Sequence, residues 1–246
     1  MKILILGVGG RMGHEVARLA QAGNICAYGV DPAGCAELPT VRTLAEAAWD
    51  VDCIVDFSHH DATEALLSYA RRRHLPAVIA TTGQTPEQLD AIRAASSEIP
   101  IFRSANMSVG VALIRELARI AAKMMPTAEI EIVEAHHDRK LDAPSGTALM
   151  LADAICAVRP NAYPVCGRNG SGKRTPDEIG IHAIRMGNIV GEHEIFFGTD
   201  TQTVSIRHSA HDRALFAEGA LAAASFLVNR PAGLYDMDDL MRASRN

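Results

Sequence analysis

The stretch ILILGVGGRMGHEVARLA, residues 3–20, decides the fold. Ile3, Leu4, Ile5 and Leu6 form an unbroken apolar run, which predicts a central strand of a parallel sheet, buried on both faces. A glycine-rich turn follows, Gly7-Val8-Gly9-Gly10-Arg11-Met12-Gly13, and then apolar residues at helical spacing from Val16 to Ala20. Strand, glycine turn and helix in that order are the setting of the dinucleotide fingerprint G-x-G-x-x-G. Gly7 and Gly9 fit it, whereas Met12 holds the third place and Gly13 comes one residue later. Any tight strand-to-helix connection favours glycine, so the turn alone decides little. Residues 25–30 strengthen it: they form a second apolar strand ending at Asp31, about twenty residues on, where an acid can bind adenosine ribose hydroxyls.

The same order repeats downstream. Residues 51–55 end at Asp56-Phe57-Ser58, and Asp61-x-x-Glu64 then opens a helix like a capping box. Residues 77–80 end at Thr81-Thr82-Gly83, with Thr85 as N-cap and Pro86 as first helical residue. Residues 99–103 end at Ser104-Ala105-Asn106-Met107, before a long helix over 109–125. In an open α/β sheet ligands sit at the carboxyl ends of the strands, where these short polar segments gather. Arg71-Arg72-Arg73-His74 reads as cations at a helix C-terminus, not as a nucleic-acid patch.

After Asn106 the rhythm changes. Residues 128–133 alternate Ile130 and Ile132 with Glu129 and Glu131, the pattern of a half-buried strand, and residues 148–157 return to helical spacing. Between them lies EAHHDRKLDAPSGTA, residues 134–148. Adjacent residues leaving a strand point to opposite sides, so His136 and His137 serve one pocket in different roles. Ser145-Gly146-Thr147 opens the next helix and offers backbone N–H groups and a hydroxyl to a carboxylate or phosphate, with a helix-dipole contribution of about 0.3–1 kcal/mol. With Lys140 close by, the stretch combines an imidazole, an ammonium and an anion cradle, suited to an anionic substrate that needs protons moved. A metal reading of the histidine pair fails on spacing: H-E-x-x-H is absent. Residues 179–186, 192–197 and 201–207 then read as consecutive antiparallel strands of an α+β domain, before a final helix over 213–228.

One near-motif is set aside. Gly167-Arg168-Asn169-Gly170-Ser171-Gly172-Lys173-Arg174 nearly spells a P-loop, but Arg174 stands where magnesium needs a Ser or Thr. Tyr163-Pro164-Val165 before it is a poor central strand, and Pro176 follows instead of a helix. A basic loop results, whose Lys173 and Arg174 face either an anionic substrate or water. Composition agrees with an ordinary soluble globular protein. A length of 246 residues, 48% hydrophobic and 22% charged, allows one or two ordinary globular domains. The net charge of −5 leaves no footprint for nucleic acid. The five cysteines (Cys26, Cys35, Cys53, Cys156, Cys166) are scattered without a CxxC pair, as in a reducing compartment. The first apolar run stops at glycines, too short for a signal peptide or membrane span, so a cytoplasmic protein is expected.

The pattern EAHH-x-x-K-x-DAPSGTA closely resembles the signature of the 4-hydroxy-tetrahydrodipicolinate (dihydrodipicolinate) reductase family, of lysine and diaminopimelate biosynthesis. The N-terminal glycine turn, Thr81-Thr82-Gly83, Ala105-Asn106, residues 184–193 and Gly233-Leu234-Tyr235-Asp236-Met237 extend the resemblance along nearly the whole chain. It implies an α/β protein: a Rossmann-like dinucleotide-binding domain, residues 1–107 with 217–246, and an inserted α+β mixed-sheet domain, 108–216, for substrate and tetramer contacts. The implied reaction reduces a cyclic imine dicarboxylate with NADH or NADPH and loss of water. By resemblance, His136 is the general acid/base and Lys140 a proton donor and cation. His137, Ser145, Gly146 and Thr147 hold substrate carboxylates. Gly7, Val8, Gly9, Gly10, Arg11, Met12, Asp31, Ala80, Thr81, Thr82, Ser104, Ala105, Asn106 and Met107 line the dinucleotide.

The departure from the family's pattern concerns the cofactor. Many relatives have a basic residue after the acid, whereas here Asp31 is followed by Pro32. A carboxylate favours free ribose hydroxyls and repels a 2′-phosphate, so use of both cofactors with a lean towards NADH is expected, Arg11 partly compensating. Two other readings compete: another two-domain dehydrogenase of a small amino-acid-like substrate, and a non-catalytic NAD(P)H-binding regulator. His136 and Lys140 argue against the regulator, which needs no proton donor beside an anion cradle.

Overall fold

A computed structural model describes residues 1–243. The chain divides into two compact units, Met1–Val109 with the chain from Arg213 onward, and Gly110–Asp212. Residues 244–246, which the sequence assigns to the dinucleotide domain, lie outside the described residues.

The first unit begins β1 (Lys2–Leu6), α1 (Arg11–Ala22), β2 (Cys26–Val30), β3 (Thr40–Val41), β4 (Cys53–Asp56), α2 (Thr63–Arg73), β5 (Ala77–Ile79), α3 (Pro86–Ala95) and β6 (Pro100–Arg103). The second comprises α4 (Val109–Met124, its first residue in the first unit), β7 (Glu129–His136), α5 (Gly146–Cys156), β8 (Tyr163–Cys166), β9 (Glu178–Arg185), β10 (Gly191–Gly198) and β11 (Thr203–Ala210). The chain then returns to the first unit with α6 (Ala214–Leu227), β12 (Gly233–Tyr235) and α7 (Met237–Ala243).

The first sheet runs β12-β6-β5-β4-β1-β2-β3, and every pairing is parallel. Without the added β12 this is the 3-2-1-4-5-6 order of a dinucleotide-binding sheet, with β1 at its centre. Ile3, Leu4 and Ile5 are buried on both faces, which is why the run carries no polar alternation. Thr85 caps α3 through a full capping box with Gln88, and Pro86 is the first helical residue. The opening of α2 differs from the expected Asp61–Glu64 box. His59 accepts from the Asp61 N–H instead, a short 3₁₀ turn covers His60–Ala62, and α2 starts at Thr63 without a side-chain cap. Arg71, Arg72 and Arg73 fill its last turn, and Arg71 pairs with Glu98.

The second sheet runs β11-β10-β7-β9-β8. Only β10 and β11 form the expected antiparallel neighbours; β9 and β10 are separated by β7, which pairs parallel with β9 and antiparallel with β10. The reason lies in the β9–β10 connection. It wraps the end of β7, with the His137 N–H on the Ile189 carbonyl at 2.8 Å and the Met186 N–H on the His136 carbonyl at 3.0 Å. A short connection therefore joins strands that are not neighbours. β8, with Pro164, sits at the sheet edge, where proline costs no ladder bond. Ile114 and Ala118 of α4, with Leu151 and Ile155 of α5, cover one face and pack on Ile130, Ile132, Ile181, Ile195 and Phe197.

Within the first unit, α6 packs against α1, β4, β5 and β6. A Cβ at Gly219 of α6 would lie 1.7 Å from the Met107 carbonyl oxygen, so glycine is required there by close backbone approach. In an open helix, glycine to alanine stabilises by about 1 kcal/mol. Here Gly219→Ala is expected to lower the unfolding free energy by about 1–3 kcal/mol, the overpacking range, read from the urea midpoint. A stabilised variant would contradict the packing.

Candidate active site

In the first unit the loops at the carboxyl ends of β1, β2 and β4 enclose a cleft of about 740 Å³. Gly7, Gly10 and Asp31 line it, with Pro32, Arg42 and Ser58. Gly7 has φ +81°, and a Cβ at Gly13 would lie 2.2 Å from its carbonyl oxygen. Gly13 thus supplies the close helix–strand packing that the fingerprint gives its third glycine, one residue later than the pattern places it. α1 starts at Arg11, its N-cap is Gly10, and no side chain caps it. Those N–H groups, with no acid in the first turn, suit a pyrophosphate. Asp31 accepts the Gly9 N–H and the Ala33 N–H, both at 2.9 Å, so its carboxylate is aimed across the turn.

The remaining expected dinucleotide residues are spread around this sheet. Val8 is fully buried, Met12 half-buried and Arg11 exposed. Ala80, Thr81 and Thr82 follow β5, with the Ala80 N–H on the Asp56 carbonyl. Ser104, Ala105, Asn106 and Met107 follow β6 in a turn closed by the Ser104 hydroxyl on the Asn106 carbonyl, and Met107 belongs to the core. These two segments stand outside the lining of the 740 Å³ cleft. Arg42 is in that lining but was not legible, because β3 is only two residues long.

The second unit gathers the EAHH segment around one side chain. Glu134 is 0% exposed. Its carboxylate accepts from His136 Nδ1 at 2.6 Å, from both Arg185 guanidinium nitrogens at 2.8 and 2.7 Å, and from the Ser145 N–H at 2.9 Å. Burial pushes the Glu134 carboxyl up, but these donors and the Arg185 charge outweigh it and hold the group below the usual carboxylate range. His193 lies opposite Glu134 in the β10–β7 register. Its Nε2 is 3.0 Å from the Ser145 hydroxyl, and its ring meets that of His136 edge-on at 5.2 Å. Burial, then the His136 charge, pushes His193 down to about 4. His136 is also lowered, by burial first, with Glu134 opposing and Lys140 and Arg185 adding.

Ser145 is the N-cap of α5, accepting the Ala148 N–H. Its own N–H is occupied by Glu134, so it contributes less to an anion cradle than its position implies. Lys140 pairs with Asp142 at 2.8 Å. That ammonium, ahead of backbone N–H groups including that of Gly146, holds the Asp142 carboxyl below the usual range. His137 is half-buried beside this segment. Arg174 of the basic loop turns inward to Glu129, Glu131 and the Glu178 carbonyl, a structural role. Glu134, Arg185 and His193 stand in the resembling motifs, but the sequence reading gave them no role. Strand parity carried the signal, since Glu134 and His136 share a face with Ile130 and Ile132, Arg185 with Ile179 and Ile181, and His193 with Ile195 and Phe197. Among the described residues, two groupings bring three possible metal ligands within 4.8 Å, His14 with Cys35 and Glu37, and His59 with His60 and Asp61. Neither includes the EAHH histidines.

The N-terminal family model of dihydrodipicolinate reductase matches residues 1–107, and the C-terminal one residues 110–241. The chain belongs to the dihydrodipicolinate reductase family. The 4-hydroxy-tetrahydrodipicolinate reductase of Caldanaerobacter subterraneus subsp. tengcongensis is 46% identical over 98% of both chains. That of Clostridium tetani is 40% identical over 99% of this chain and 98% of its own. The solved structure of a dipicolinate-bound dihydrodipicolinate reductase from Paenisporosarcina sp. TG-14 superposes with a TM-score of 0.81 at 25% identity, covering 96% of this chain and 97% of that one. Family membership makes the chain an NAD(P)-dependent oxidoreductase of the lysine/diaminopimelate route.

The depressed His193 fixes a pH dependence. Its folded state takes up a proton only near pH 4, whereas the unfolded chain takes it up near 6.5, so stability present above 6.5 is lost as pH falls toward 4. His193→Gln lacks this titration. The stability gap between wild type and His193→Gln is expected to narrow across that window, read by urea denaturation at each pH. A constant gap would contradict the burial of a neutral His193.

Proposed function

We propose that this chain reduces 4-hydroxy-tetrahydrodipicolinate to tetrahydrodipicolinate with NADH or NADPH and loss of water, as the names of its relatives indicate for them. The observation that carries this reading is the oriented His136 imidazole on a buried carboxylate, in the same segment as Lys140 and the opening of α5. A dicarboxylate substrate fits that segment, and the Paenisporosarcina structure holds a dicarboxylate of the same kind.

The dinucleotide, when bound, supplies a hydride to the substrate. We assign its binding to Gly7, Val8, Gly9, Gly10, Arg11, Met12 and Asp31, with Ala80, Thr81, Thr82, Ser104, Ala105, Asn106 and Met107 at the neighbouring strand ends. The uncapped start of α1 and the tight Gly7–Gly13 contact support this. His136 exchanges a proton with the substrate as general acid/base. Lys140 donates a proton and places positive charge beside the developing enamine. His137, Ser145, Gly146 and Thr147 orient the carboxylates, and a substrate carboxylate at Lys140 takes the place of Asp142, an exchange of like for like. Asp31 with Pro32 tilts the cofactor choice towards NADH, while Arg42 in the same cleft tempers it by offering charge to a 2′-phosphate. We place the enzyme in the cytoplasm, in keeping with five free thiols. A homotetramer forms through the sheet face that α4 and α5 leave uncovered, where half-buried residues of β10 alternate with buried ones.

The test is nicotinamide oxidation with freshly generated 4-hydroxy-tetrahydrodipicolinate, made in the same cuvette by a synthase from pyruvate and aspartate semialdehyde. Wild type is expected to oxidise both cofactors, NADH faster. His136→Gln and Lys140→Ala should each lose about 10²-fold or more of turnover, the range of general acid–base catalysis, with dinucleotide affinity retained. No oxidation by wild type, while a family reductase works in the same mixture, would refute the reading.

A further inference from the structure

Glu134 reaches beyond its own strand. An ionised carboxylate only accepts hydrogen bonds. The imidazole nitrogen 2.6 Å from it therefore carries the proton, so neutral His136 is held as the Nδ1–H tautomer with Nε2 bare. Nε2 faces Gly191, where a Cβ would lie 3.1 Å away, so that edge of the ring is flanked by a residue without a side chain. Two Arg185 bonds oppose the cost of burying the charge and keep Glu134 an acceptor. The same carboxylate holds the Ser145 N–H, so one group fixes both the imidazole and the start of α5.

We propose that Glu134 is a positioning residue of the reaction: acting through His136, it selects the tautomer that exchanges protons at Nε2, and Arg185 keeps it ionised. This rests on the reading of His136 as the proton-transfer group. The titratable and charged groups around the ring are Glu134 on β7, Arg185 on β9, His193 on β10 and Lys140 in the loop after β7. Of these only Glu134 favours the imidazolium, so its removal lowers the pH at which His136 loses its proton.

The experiment uses the full-length protein labelled with 15N-histidine, with His136→Gln identifying the His136 signals. Above its pKa, wild-type His136 is expected to show a protonated Nδ1 and a bare Nε2. Glu134→Gln should give a tautomer mixture, a fall in kcat of about 10²-fold, and a fall of kcat with rising pH that begins at lower pH than in wild type. Dinucleotide affinity stays at the wild-type value. Glu134→Asp keeps the charge but withdraws the carboxylate, so it should restore the pH profile and not the full kcat. Should Glu134→Gln not fold with Arg185 unpaired, Glu134→Gln/Arg185→Gln removes both charges and carries the same expectations. A folded variant with the wild-type tautomer and wild-type kcat would overturn the proposal. Wild-type turnover in His136→Gln would instead overturn the reading of the site, and the tautomer spectrum, taken without substrate, judges Glu134 independently.

Discussion

A carboxylate fully removed from water holds the second unit's site together. Burying an ion costs several kcal/mol even after relaxation, and only dense, well-aligned donors offset it. Glu134 has them: a two-pronged Arg185, the His136 ring and the Ser145 N–H. Each donor comes from a different place, the end of β9, the end of β7 and the cap of α5. Satisfying one charge therefore fixes three elements. Any one donor removed leaves the charge short of partners, so the site is cooperative in its assembly.

The first unit solves a different problem with backbone instead of side chains. A pyrophosphate needs N–H groups and close approach, and the Gly7–Gly13 turn supplies both, with no acidic side chain in the first turn of α1. Asp31 adds an acid already oriented by the Gly9 and Ala33 N–H groups. In the proposed function the two units divide the chemistry accordingly: a dinucleotide scaffold on the parallel sheet, and proton handling on the mixed one.

Much of this was legible because it is local. The apolar run at Ile3–Leu6, the glycine turn, the acid at Asp31, and the caps at Thr85 and Ser145 are set by neighbours a few residues away. The illegible parts depend on partners far along the chain. Glu134 meets Arg185 only because β7 inserts beside β9, and the sequence reading joined β9 to β10 instead. Asp61 with Glu64 satisfied a local rule, yet His59 took the cap. The basic loop is a similar case: Arg174 is committed to carboxylates on β7 that no spacing rule connects to it. Strand parity puts Glu134, His136, Arg185 and His193 in line with apolar residues, and three of them are buried with Arg185 half-buried, a signal of a site that the sequence reading did not use.

The account stands or falls on where a dicarboxylate binds. A crystal structure of the protein with dipicolinate is the most direct measurement. The account predicts one carboxylate on Lys140 and the N–H groups of Gly146 and Thr147, with the Lys140–Asp142 pair opened and His136 Nε2 facing the ring. Dipicolinate bound away from residues 134–148, with Lys140 still on Asp142, would contradict it.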